Sequence, residues 1–198
     1  MIEFISDEKS FVKCKEQKDN IFNSNNYLPK KVFNRSFNYF LFIDFDYIFE
    51  DSFFLNLSSF LKKINSKEYV FYVDNPNPET YFYKHFRKFN VLIIPVDSEL
   101  DCLNKFLFKD PGDSPADAMI YNSFDIFLFS NDSKWGITAS RDLEIAIIGF
   151  KDIITKSFFL EEFLLDKHYI NDLESFKKNL DINNGYNDMI DLLIKNYK

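Results

Sequence analysis

The stretch Tyr39-Phe40-Leu41-Phe42-Ile43 constrains this chain more than any other. It is five consecutive apolar β-formers, a strand that needs cover on both faces. Such a strand reads as a central member of a layered sheet. Asp51-Ser52 then opens a stretch in which Phe53, Leu57, Phe60, Leu61 and Ile64 recur every three or four positions, the stripe of an amphipathic helix. Tyr69 to Val73 and Val91 to Val96 read as further strands, with a helix over Pro78 to Lys88 between them that carries Pro near its first turn. The order β-α-β-α-β predicts parallel strands joined by crossovers.

Beyond Asp97 the alternation weakens into a short helix around Leu100 to Phe108 and a Pro111-Gly112 turn. Ser114-Pro115-Ala116-Asp117 has the order of a helix start, with Ser as cap, Pro at the first position and an acid near the positive end of the dipole. That helix is expected to end near Asn122. Strands are expected over Asp125 to Ser130, Gly136 to Ser140 and Leu143 to Phe150, separated by Asn131-Asp132-Ser133-Lys134 and by Ser140-Arg141-Asp142, a tight antiparallel meander. From Asp152 the pattern is helical, interrupted at Gly185.

The predicted fold is therefore α/β: a single domain over 37–198 with a mixed sheet, parallel in its first half and an antiparallel meander in its second, and helices on the faces. Residues 1–36 are polar and asparagine-rich with scattered apolar positions, and read as a weakly structured lead-in. A length of 198 residues suits one domain.

Charge and composition narrow the function. A net charge of −7 has the wrong sign for neutralising a nucleic-acid backbone and the right sign for steering a basic protein partner. Cys14 and Cys102 form no disulfide framework, no apolar run approaches a membrane span, and Met1-Ile2-Glu3-Phe4 lacks a signal-peptide pattern. A cytoplasmic location without membrane contact is expected. His85 and His168 have no partner at metal-binding spacing, and the four glycines Gly112, Gly136, Gly149 and Gly185 form no phosphate loop. No metal and no cofactor are expected.

Two resemblances bear on chemistry. Asp44-Phe45-Asp46 at the end of a hydrophobic strand resembles the Asp-x-Asp motif of haloacid-dehalogenase-like phosphohydrolases. There one acid attacks phosphorus, the other handles the proton, and magnesium is shared. The chain departs from that family at Tyr47-Ile48, where Gly-Thr or Gly-Val is usual, and at Asp74-Asn75-Pro76, where a Ser or Thr is expected.

The segment from Ser114 to Phe150 contains Trp135-Gly136-Ile137, Arg141-Asp142-Leu143-Glu144-Ile145-Ala146-Ile147-Ile148-Gly149 and an earlier Ser-Pro-x-x-Ala helix start. It resembles the strand-turn-strand segment of bacterial immunity proteins that neutralise polymorphic or contact-dependent toxins. The resemblance implies a protein without enzymatic activity that binds and blocks a cognate toxin. Between Asp97 and Asp117 six acids stand against Lys105 and Lys109, an acidic surface suited to the basic cleft of a nuclease. Asp110, Asp113, Asp117, Arg141 and Glu144 are the expected partner-binding residues, and Trp135 is expected in the core. The magnesium-dependent phosphohydrolase using Asp44 and Asp46 is the alternative.

Overall fold

In a computed structural model that describes residues 2–112, 115–180 and 187–198, six strands form one sheet. They are β1 (Tyr39–Asp44), β2 (Glu68–Asn75), β3 (Val91–Pro95), β4 (Asp125–Phe129), β5 (Trp135–Ser140) and β6 (Ile145–Phe150). Their order is β1-β6-β5-β4-β2-β3, and every neighbouring pair is antiparallel.

This corrects the expected parallel first half. β1 and β2 do run in the same direction, joined by α2 (Asp51–Lys63), but β6, β5 and β4 stand between them. The meander supplies three strands with short turns and occupies the positions beside β1 and β2 that a parallel pair would need. β2 and β3 are neighbours, yet the connection between them stays at one end of the sheet, since Tyr72 pairs with Val91. The helix expected over Pro78 to Lys88 is a π-helical stretch, Pro78–Tyr83, capped by Asn77. It runs into the single turn α3 (Lys84–Phe86), which stops at Arg87 with φ 56°. A segment that short turns the chain back instead of carrying it along the sheet. The meander itself is present, β4, β5 and β6 pairing in sequence.

β1 is an edge strand, not a central one, although both its faces are covered. Its outer edge is bridged by Asn171, which exchanges two 2.8 Å backbone bonds with Phe42. β3 is closed at the opposite edge by Phe4 and Ile5. Both edges are thus blunted against pairing with another chain.

Strand alternation divides the core into two layers. One face carries Leu41, Ile43, Phe71, Ile126, Trp135 and Ile148 against α2, α4 (Leu100–Leu107) and α5 (Ile153–Glu162). The other carries Phe40, Phe42, Tyr72, Phe127, Phe129 and Ile147. That second face is covered by α1 (Glu8–Asp19), α6 (Leu173–Leu180), α7 (Asn187–Asn196) and the segment between α1 and β1. The lead-in is therefore built into the second core layer. Ile21, Phe22, Val32, Phe33 and Phe37 are all buried, but they sit in loops without periodicity and leave no helical or strand pattern to read.

The helix expected from Ser114 is only a 3₁₀ turn, Pro115–Asp117; its cap Ser114, the site residue Asp113 and Gly185 lie outside the described residues. Among the described residues no helix is long and apolar enough to cross a membrane.

Candidate functional site

Pairing register lines up one end of the sheet. Asp44 lies opposite Ile145, Ile145 opposite Ser140, Ser140 opposite Asp125, and Asp125 opposite Asn75. At this end stand Asp44 and Asp46 beside β1, Asp142 and Glu144 in the β5–β6 turn, Asp125 at the start of β4 and Asp74 near the end of β2. Four inter-strand steps of about 4.8 Å spread the row over roughly 20 Å.

Only part of this charge is answered internally. Asp74 pairs with the buried ammonium of Lys18 at 2.9 Å and also accepts from the Tyr27 hydroxyl. Lys18 lies 4.6 Å and 4.8 Å from the ring centres of Tyr72 and Phe127, and burial together with Asp74 raises the Tyr27 phenol well above its ordinary pKa. Asp125 accepts a 3.2 Å bond from Asn75. Burial, then the charges of Asp74 and Asp142, push its carboxyl above the usual carboxylate range. The side chains of Asp142 and Glu144 are exposed and make no hydrogen bond or ion pair with the described residues.

Arg141, one of the expected partner-binding residues, is committed to the fold. Its Nε donates to the Ser123 carbonyl and its terminal nitrogen to the Ile120 carbonyl, both at 2.9 Å, while the guanidinium lies 4.7 Å from the Phe45 ring centre. It ties the β5–β6 turn to the loop after Asp117. Asp117 is half-buried and accepts from Tyr81 and Asn122, each at 2.9 Å, and the bond to Asp117 raises the Tyr81 phenol. Asp110 accepts from the Gly112 backbone within its own turn. Of the expected set, Glu144 and Arg141 share one turn, and Asp110 and Asp117 belong to the neighbouring loop.

Asp44 and Asp46 do not share a strand face. β1 ends at Asp44, whose Oδ1 accepts from the Asp46 backbone at 2.9 Å, and Asp46 already begins a 3₁₀ turn. The two acids therefore do not lie along one strand, where residues two apart point the same way. Among the described residues no group of three or more His, Cys, Asp or Glu side chains is placed to hold a metal ion.

A cavity of about 370 Å³ opens beside the β5–β6 turn on the second face of the sheet. Its floor is buried and apolar, with Phe42, Ile145 and Leu193, and Phe42 stacks on Phe176 at 4.7 Å between ring centres. Its mouth carries Asp44, Asp142, Glu144, His168 and Tyr169. Tyr169 is held by stacking on Tyr47 at 4.6 Å, and the Tyr47 hydroxyl donates to Asp166 at 2.8 Å.

Sequence reasoning missed Asp74, Asp125, Asp142 and the cavity. Their common position depends on β6, β5 and β4 standing between β1 and β2, which no local pattern signals. No protein-family model, curated protein or solved structure matches this chain.

Proposed function

We propose that the chain is a non-catalytic immunity protein that binds the basic surface of a cognate toxin through the acidic end of its sheet. The observation that carries this reading is the row of six carboxylates, in which Asp142 and Glu144 find no bonding partner among the described residues. Set against Lys18, paired with Asp74, and Arg141, bound to backbone carbonyls, the six carboxylates leave a net negative charge over about 20 Å, which steers a partner of opposite charge and disfavours wrong ones. It also matches the lateral scale of a standard interface, about 800 Å² on each partner. A nuclease cleft lined with Lys and Arg has the complementary charge.

The resemblance of the Trp135–Gly149 hairpin to immunity proteins supports the same role. That hairpin anchors the site in the core and carries two of its carboxylates in the turn. Trp135, at the far end of the hairpin, is fully buried and donates to Ser130 at 2.7 Å, while the turn at the other end presents Asp142 and Glu144.

The test is growth protection by the full chain, co-expressed with the basic C-terminal toxin domain encoded beside it. Rescue by the native chain, lost on Asp142→Lys/Glu144→Lys, is the expected result. A neighbouring gene that encodes no toxin, or rescue that survives the double charge reversal, contradicts the proposal.

A further inference from the structure

We infer that the cavity beside the β5–β6 turn receives one arginine side chain presented by the partner, its guanidinium among Asp44, Asp142 and Glu144 and its stem along the half-buried apolar wall. The inference rests on the reading above that the partner is a basic protein, and it names the group that enters.

Charge and shape select the ligand. The described residues lining the cavity include three carboxylates and no lysine or arginine, so an anion is repelled. Concave, poorly polarisable walls concentrate the negative field at the mouth. A purely apolar ligand would cover the rim and strip water from carboxylates that gain nothing in return. A cation with an apolar stem satisfies both zones at once. Leu143, Met189 and Ile190, half-buried in the cavity wall, take the methylenes, and the rim takes the charge.

Guanidinium fits better than ammonium for two reasons. It is planar, weakly hydrated and able to bridge two carboxylates through its fork of donors, whereas ammonium is a strongly hydrated point charge. The Tyr169 ring at the mouth is 45% exposed, with Tyr47 and His168 already packed against it at 4.6 Å and 4.0 Å between ring centres, and its remaining aromatic surface favours a flat, weakly hydrated guanidinium over ammonium.

The test uses the isotope-labelled full chain and follows backbone amide shifts while four probes are titrated separately: n-butylguanidinium, n-butylammonium, n-butanol and the capped peptide acetyl-Gly-Arg-Gly-amide. Butylguanidinium and the peptide are expected to shift the amides of Asp44, Glu144, Ile145 and Asn171 with Kd on the order of 1 mM. Butylammonium is expected to bind more weakly than butylguanidinium, and butanol at least about tenfold more weakly. Asp142→Asn/Glu144→Gln, both in an exposed turn, should weaken the two guanidinium probes by about tenfold or more.

No shift at these amides, butanol or butylammonium binding as well as butylguanidinium, or an unaffected double variant overturns the inference. Binding of free butylguanidinium with no binding of the peptide also overturns it, assigning the cavity to a small cation instead of a partner's side chain. No toxin takes part in this titration. A negative result therefore removes the arginine pocket and leaves the proposed function standing, whereas failure of growth protection removes the proposed function and with it the partner that the pocket would receive.

Discussion

Glu144 has φ 54°, a left-handed conformation that costs a non-glycine residue about 1–2 kcal/mol. Its backbone is well used, since its N–H bonds to Arg141 and its carbonyl accepts from Phe45, but its carboxylate has no bonding partner among the described residues. A side chain kept at such a position at a cost to stability is a candidate for function. Asn adopts this conformation more readily. Glu144→Asn is expected to raise unfolding stability by about 0.5–1 kcal/mol while weakening toxin binding by about tenfold, or 1.4 kcal/mol. Chemical denaturation and calorimetric titration read the two effects, and a variant that loses stability and keeps affinity would show the strain to be structural only. Asp125 makes a similar case through pH. Its folded-state pKa is raised by burial and by Asp74 and Asp142, so the native state holds the proton more tightly than the unfolded chain, whose Asp titrates near 3.9. Its ionisation therefore lowers stability as pH rises through the folded value. Asp125→Asn keeps an acceptor for Asn75 and is expected to have a higher Tm than the native chain at pH 7, with the gap closing as pH falls toward 4. A gap that is unchanged across that range would contradict the assignment.

At the scale of elements, the β5–β6 hairpin is both the support for the acidic turn and a platform for the second core layer. Gly136 and Gly149 face each other across the hairpin, and a Cβ at Gly149 would lie 2.6 Å from the buried Phe33 ring. Gly149→Ala must push that ring aside and is expected to cost about 1–3 kcal/mol. Trp135 on the first face packs edge-on against Phe60, 5.8 Å between ring centres, so Trp135→Ala should cost about 3–5 kcal/mol. Denaturant midpoints measure both, and losses below about 1 kcal/mol would place these residues in a tolerant part of the core. The hairpin was legible in the sequence because its apolar runs are continuous and its turns polar, as were α2 and the apolar β1 run. The adjacency of β6 to β1 and of β4 to β2 was not. The α2 crossover does join two strands of the same direction, but nothing local in residues 39–73 shows that three later strands come between them. The site inherits that gap. Glu144 was visible as an acid in a turn, whereas Asp74 and Asp125, 51 positions apart in the chain, meet only through the pairing of β2 with β4.

For the whole molecule, the net charge of −7 matters through its placement, since a row of carboxylates on one end acts on an approaching partner in a way that scattered surface charge does not. Charges at a rim act mostly on the rate of encounter and are screened over about 10 Å at 0.1 M salt. The most direct measurement of the central claim is the association rate of the cognate toxin domain with three forms of the full chain, taken at low and at high salt. They are the native protein, Asp142→Lys/Glu144→Lys, and Asp97→Lys. Asp97 follows β3 at the opposite end of the sheet, where the end of β3 pairs with the start of β2, and is 88% exposed beside Lys62. At low salt the double reversal is expected to slow association by about tenfold or more, with Asp97→Lys within about twofold of native, and the differences should shrink as salt rises. Equal slowing by the two reversals, or rates indifferent to salt and to both, would contradict binding through the acidic end of the sheet.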